Sequence, residues 1–459
     1  MLIIHAHNNH HKDREYIYDV VFRYFWDIEY QLVYEERDNI AIEVDGNFLY
    51  IDDTFFQKDE TVWLKEQSLP EQPLTVVNLS DEFRDATVEI QLPMIYGDSN
   101  AKNLFSDNNS MCNIDIFGSA FFMLTRYEEV VKKERDTYGR FPATASLAYQ
   151  EGFLERPIIN EYLELLWRWI TKYKKDLKRR ERKFSIMPTH DVDVPFLALC
   201  LNNWKKIRLL AGDIIKRRSL SSFCKNMSLF IASSFGKYDI DPRNTFEYIM
   251  DFSEKFNLTS TFYLMTSRNR NEKDGNYSIF KKPIVKLAQT IVERGHCIGI
   301  HPGFGSYNNK VWLKNDVDVL GQMISKEGLD VEYFGGRQHY LSWQAPITWE
   351  EYEDVGIKYD TTLSYADHIG FRCGTCFEYP VYNVITRKGY KLKEYPLVVM
   401  DCTLWDDRYM NLREDEMLPR CMKIKERCRK YGGNFVLLWH NTTFINKLYK
   451  ELYENIILK

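Results

Sequence analysis

No apolar stretch in this chain is long enough to cross a bilayer. The longest, 195–201 and 435–439, fall far short of the roughly 20 residues a helix needs. The first residues lack a basic segment followed by an apolar core, so no secretory signal is expected. Positive charge is not in surplus: 61 Lys and Arg stand against 66 Asp and Glu, a net charge of -5. That balance removes the electrostatic case for nucleic acid. The nine cysteines lack the even, dense spacing of a disulfide scaffold, which points to a reducing compartment. Together these absences lead to the expectation of a cytoplasmic protein without a transmembrane segment. A phosphate-cradling glycine fingerprint is also missing, since Gly303 and Gly305 come too late and precede no suitable helix. Cys373 and Cys376 form a lone pair with no second pair to complete a metal site.

What is present is material for a large folded core. Of 459 residues, 44% are hydrophobic and 15% aromatic, enough for two domains or one large one with additions. Residues 1–183 read as a small α+β domain. Ile17, Val20, Val21, Tyr24 and Phe25 share one face of a predicted helix over 14–28, with Asp13 available as its cap. Asp45-Gly46 between two short β patterns signals a type I′ hairpin. A helix begins after Asp115, and another is opened by Pro157. His5, His7, His10 and His11 read as a surface cluster. The basic run 172–183 reads as a helix end and linker.

Residues 184–459 alternate strands with helices, interrupted by a helical insertion over about 196–256. Strand patterns occur at 184–193, 258–265, 297–301, 333–339, 358–362, 392–400 and 434–440, with helical patterns at 283–294, 311–326, 348–355 and 413–431. Such alternation predicts an α/β fold, a distorted (β/α)7 barrel closed by crossovers. The ends of the predicted strands carry the chemistry. Asp191 and Asp193, His301, Arg337 with His339, Asp360, Asp401 and His440 all fall there. In a parallel barrel that edge is one rim, and it hosts the active site. Asp191 and Asp193 lie one residue apart, so they leave the sheet on the same side and repel unless a cation or shared proton relieves them.

In sequence order these segments resemble the polysaccharide deacetylases, carbohydrate esterase family 4 or the NodB-homology domain, over about 184–440. Thr189-His190-Asp191-Val192-Asp193 resembles the family's first motif, and Thr261-Phe262-Tyr263 its second-strand motif. Gly295-His296-Cys297-Ile298-Gly299-Ile300-His301 is similar to its most specific piece. Arg337-Gln338-His339-Tyr340, Tyr359-Asp360-Thr361-Thr362 and Leu438-Trp439-His440 take the places of the remaining three. The first domain resembles an extra N-terminal region of some bacterial members. The resemblance implies metal-dependent removal of N-acetyl, or alternatively O-acetyl, groups from a bacterial glycan or glycan precursor. It implies Asp191 as general base, Asp193 and His301 as ligands of a divalent metal (zinc, with nickel or cobalt as alternatives), Arg337 as the group orienting Asp191, and His440 as the acid protonating the leaving amine.

One departure stands out. The family pattern places a second histidine four residues after His301, where this chain has Gly305. Two protein ligands make a weak zinc site, three being the usual catalytic count. His339, Ser306 or a water can fill the gap. A catalytically degenerate barrel that binds or assembles carbohydrate, and a metal-free hydrolase using Asp191 and His440, are the rival readings. His339 itself is open between ligand, substrate contact and structural residue. Tyr340, Trp343 and Arg372 are the expected substrate contacts, with Trp343 offering a ring for a sugar to stack on. His190 and His296 are expected to be structural.

Overall fold

The computed structural model describes residues 2–106, 111–268 and 270–459. Its first sheet has the order Tyr30–Glu35, Leu2–His7, Asn39–Val44, Asn47–Asp52, Met111–Cys112. The expected hairpin is there: Asn39–Val44 and Asn47–Asp52 pair antiparallel, and Asp45 and Gly46 both take positive φ, 48° and 79°, as a type I′ turn requires. Asp115 caps the helix Ile116–Leu124 by accepting from the Gly118 amide at 2.7 Å.

The helix read over 14–28 is an α-helix, His11–Tyr18, that widens into π geometry over Asp19–Trp26. The change of spacing turns Phe22 and Trp26 inward beside Val20, Val21 and Phe25, whereas Tyr24 stays half-buried. Asp13 lies inside the first turn rather than capping it, and is fully buried.

The second sheet is parallel throughout, in the order Cys297–His301, Thr261–Met265, Ser185–Val192, Asn434–Leu438, Leu397–Met400. Thr261–Met265 is buried along its whole length, as expected of a parallel strand covered on both faces. Beyond His301 the pairing thins. Single parallel bridges join Ile300 to Gly336 and Gly336 to Asp360. Tyr359–Asp360 then pairs parallel with Lys388–Glu394, which also pairs antiparallel with Tyr379–Asn383.

The strand expected over 333–339 is thus a single bridged residue. Gly335 and Gly336 lie beneath the rings of Tyr359 and Tyr352, where an added Cβ would come within 2.0 and 2.7 Å of ring carbons. The strand expected over 392–400 is two strands, Lys388–Glu394 and Leu397–Met400, broken at Tyr395 and Pro396. Pro396 has no amide hydrogen to donate to a ladder.

Because these pairings are parallel, the strands end at a common edge. Asp191 lies at one such end, His301 at another. Asp193, Arg337, Asp401 and His440 lie one or two residues past theirs. The two parts of the chain are joined by buried contacts. Arg126 and Arg372, from opposite parts, both bind Glu129, with Arg126 Nε and Arg372 Nε each 2.9 Å from Oε1. All three side chains are buried.

Candidate active site

Asp191 sits within the strand Ser185–Val192, buried, with Oδ1 facing Arg337 Nη1 at 3.2 Å. The same guanidinium is tied to Thr189 Oγ1 at 2.7 Å and to the Thr361 carbonyl at 3.0 Å. Arg337 is therefore fixed by three contacts from two strands, Thr189 and Asp191 on one and Thr361 just past the other, and it fixes Asp191 in turn. The other oxygen, Asp191 Oδ2, lies 3.8 Å from His301 Nε2.

Asp193 follows two residues on, just past the strand. His301 Nε2 is 3.2 Å from its Oδ1, and His339 Nε2 is 3.7 Å from the same oxygen. One donor atom from each of Asp193, His301 and His339 falls within 4.8 Å of the others. This is the arrangement that a divalent ion needs. Two of the atoms concerned, Asp193 Oδ1 and His301 Nε2, are buried and have no hydrogen-bond partner. A bound ion or water is one way such atoms are completed. His301 donates from Nδ1 to the Arg337 carbonyl at 2.7 Å, which leaves the Nε2 lone pair free. Burial alone would push the Asp193 carboxyl up, but His339, His301 and His440 outweigh it and hold it below the usual range. Burial lowers His301, yet Asp191 and Asp193 outweigh that and raise it.

His339 reaches this point from a turn, not from a strand end. Tyr340 and Leu341, the residues after it, both have positive φ, 63° and 54°. Two consecutive non-glycine residues in that region cost roughly 1–3 kcal/mol each, a strain found where structure serves a site. Asp274 holds the imidazole: its Oδ1 is 2.9 Å from His339 Nδ1. Asp274 in turn accepts from the Phe304 amide at 2.8 Å and from Ser267 Oγ at 2.9 Å. Burial would raise Asp274, but His339 and the Phe304 amide bring it below its ordinary value.

The loop after His301 is where the expected second histidine belongs. Gly305 has φ +88°, and a Cβ there would press on Trp312 at 3.1 Å. The loop supplies the amide for Asp274 instead of a ligand. Ser306 is engaged elsewhere, its hydroxyl donating to the Gly303 carbonyl, so it offers no substitute.

His440 closes the opposite side. Its Nδ1 is 2.8 Å from Asp401 Oδ1, its backbone amide donates to Asp401 Oδ2 at 2.8 Å, and Thr443 Oγ1 donates to that oxygen at 2.6 Å. The free Nε2 points toward Asp193 Oδ2, 3.9 Å away. Burial works against protonation, but Asp401, with Asp193 and Asp191 beyond it, holds the His440 pKa up at about 10. Asp401, Cys402 and His440 also offer donor atoms close together. Asp401 has both oxygens committed, however, so this cluster is an acid–imidazole pair.

Two of the expected substrate contacts are elsewhere. Arg372 is 1% exposed and spends its guanidinium on Glu129. Trp343 is equally buried, packed edge-on against Trp349 at 4.8 Å. Neither presents a surface to a substrate. Tyr340 does flank the cluster, 4.5 Å from the His339 ring, stacked on Tyr138 at 4.9 Å and edge-on to Phe304. Tyr138 comes from the first part of the chain, where Arg140 also reaches over to donate to the Tyr340 carbonyl at 3.0 Å. His190 and His296 are buried away from the cluster, bonded to the Trp439 carbonyl and the Ser260 amide.

Residues 2–175 match a family described as "Family of unknown function (DUF7033)". No curated protein matches the chain. Among solved structures it is similar to a Mycobacterium smegmatis protein described as a presumed polysaccharide deacetylase: 14% identity, TM-score 0.39, 61% of this chain and 84% of that one. A CE4 family pseudoenzyme from Bacillus anthracis overlaps at 11% identity and TM-score 0.29, over 59% of this chain and 61% of that one. An allantoinase overlaps at 12% and 0.35, over 60% and 82%. At these levels none establishes an activity or ligand for this chain.

Proposed function

We propose that the protein is a metal-dependent hydrolase that removes acetyl groups from the amino nitrogen of a sugar in a glycan or glycan precursor. One observation carries the reading: three metal-ligating atoms converge beside an arginine-held carboxylate and an aspartate-held imidazole. Asp193, His301 and His339 would hold the ion, and His339 stands in for the histidine replaced by Gly305. Zinc suits two imidazoles and one carboxylate with an open position. Such an ion polarises an amide carbonyl and acidifies water.

The remaining steps belong to the chain's own groups. Asp191, free to use Oδ2 while Arg337 holds Oδ1, accepts the proton of the attacking water. His440, kept protonated by Asp401, delivers a proton to the departing nitrogen. Tyr340, with Tyr138 and Phe304, forms an aromatic wall beside His339 on which a sugar ring can rest. In this reading the single bridges through Gly336 complete a distorted seven-stranded barrel, because the segment 388–400 pairs with Tyr359–Asp360 on one side and Asn434–Leu438 on the other.

Acetate release from N-acetylated amino sugars tests the proposal. The wild type should release acetate, and Asp191→Asn should reduce the rate by about 10²–10⁴-fold. If no acetate is released while Asp191→Asn still binds glycan, the protein is a carbohydrate-binding module instead.

A further inference from the structure

The insertion between the first two strands of the parallel sheet has a surface that the hydrolase reading does not use. Its two longest helices, Asn203–Ile215 and Leu220–Ser234, form a hairpin. Asp213, buried in the first, binds Arg217 Nε and Asn226 Nδ2, each at 2.7 Å, and so ties the two together. A small separate core of Ala198, Leu229 and Phe230, with Leu209 and Leu210 against it, supports the pair from within.

The outward side is apolar as well. On the first helix Trp204, Ile207 and Ile215 recur at helical spacing and are 75%, 56% and 76% exposed. On and after the second, Leu220, Ile231 and Phe235 repeat the pattern at 69%, 53% and 79%. Isolated exposed apolar residues are ordinary, but stripes of them on two adjoining helices mark a surface that is covered in use.

The charge identifies the cover. Between Asn202 and Ile240 the chain carries Lys205, Lys206, Arg208, Lys216, Arg217, Arg218, Lys225 and Lys237 against Asp213 and Asp239, eight minus two, or +6. The whole chain is -5, so the remainder is -11. Apolar stripes rimmed by lysine and arginine fit the interface of an anionic bilayer, where rings and aliphatic chains enter the acyl boundary and the cations meet phosphate headgroups. Pairing two such hairpins would set +6 against +6. Helices of 13 and 15 residues are too short to cross a membrane, and no described helix is long and apolar enough to do so.

We propose that this hairpin docks the protein on an anionic lipid bilayer. Its root is fixed beside the catalytic cluster. The chain enters four residues after Asp193, where Asp241 accepts from the Leu197 and Ala198 amides at 3.0 Å. Asn441, next to His440, donates to the Val194 and Arg243 carbonyls, and its own carbonyl accepts from Thr245 Oγ1. Docking would therefore hold the cluster near the lipid surface. The inference does not depend on what reaction the cluster performs.

Flotation of the full chain with vesicles tests it. The chain should rise with phosphatidylcholine vesicles containing about one third phosphatidylglycerol and not with phosphatidylcholine alone, and binding should fall at least about tenfold between roughly 0.1 M and 0.5 M salt. Trp204→Ser with Ile215→Ser and Phe235→Ser should abolish flotation. So should Lys205→Glu with Lys216→Glu and Lys225→Glu. All six side chains are exposed, so an unchanged thermal melt separates lost docking from lost fold. Failure to float with anionic vesicles, equal flotation with neutral ones, or flotation retained in both variants overturns the proposal. So does sedimentation showing that the serine substitutions dissolve a dimer of a chain that does not bind lipid.

Discussion

His339 is oriented by Asp274: Oδ1 of the acid lies 2.9 Å from Nδ1 of the ring, and this fixes Nε2 toward Asp193. A carboxylate behind a ligating imidazole sets its tautomer and direction, and its loss typically costs 10–100-fold in metal affinity, on the order of one or two decades. Asp274→Asn should weaken zinc binding by about that factor in a competition titration with a chromogenic chelator. Unchanged affinity would remove Asp274 from the account.

Asp401 stands behind His440 as Asp274 stands behind His339, but with a different consequence. Replacing it by Asn removes the negative charge that keeps the imidazole protonated. Asp401→Asn should lower kcat for acetate release by about 10²-fold or more while KM changes little. A rise in KM at constant kcat would assign Asp401 to binding.

Glu129 is the sole carboxylate bonded to Arg126 and Arg372 among the described residues, and all three are buried. Burial would raise Glu129, but the two guanidiniums outweigh it and lower it. Glu129→Ala leaves two buried cations uncompensated and should cost about 3–5 kcal/mol in urea unfolding. A loss below about 1 kcal/mol would mean that water reaches the guanidiniums.

Asp360 and Glu394 are buried register partners on neighbouring strands; burial holds both above the carboxylate range, and at Glu394 the charge of Asp360 adds to it. A folded-state pKa raised above the unfolded value binds protons more tightly in the folded state. Its contribution is therefore intact below the unfolded value, near 4, and is lost as pH rises through the folded one. Asp360→Asn removes the charge and keeps the Oδ1 acceptor used by the Thr362 amide at 2.8 Å. Its melting temperature relative to the wild type should rise between about pH 4 and pH 7. A difference independent of pH would contradict the upward shift of Asp360.

Legibility in the sequence followed periodicity. Long helices such as Lys310–Glu327 and Glu414–Lys430, and the hairpin at Asp45-Gly46, are written in local pattern and turn chemistry, and the structure has them within a residue or two. Strands with continuous apolar runs were equally plain. The segment around Gly336 was not, because it is shaped by rings that only folding brings there, Tyr359 from a strand and Tyr352 from a helix. For the same reason Asp274 gave no signal. It lies in an irregular loop, and only folding brings it to His339. Trp343 and Arg372 were misleading because nearness in sequence to Arg337 or to a loop says nothing about burial.

The account stands most directly on metal content. Protein purified without chelator and loaded with zinc should hold one equivalent by mass spectrometry, and His301→Ala and His339→Ala should each lose it, whereas His440→Ala should keep it. A wild type that binds no ion, or a His339→Ala variant that binds as well as the wild type, would contradict it.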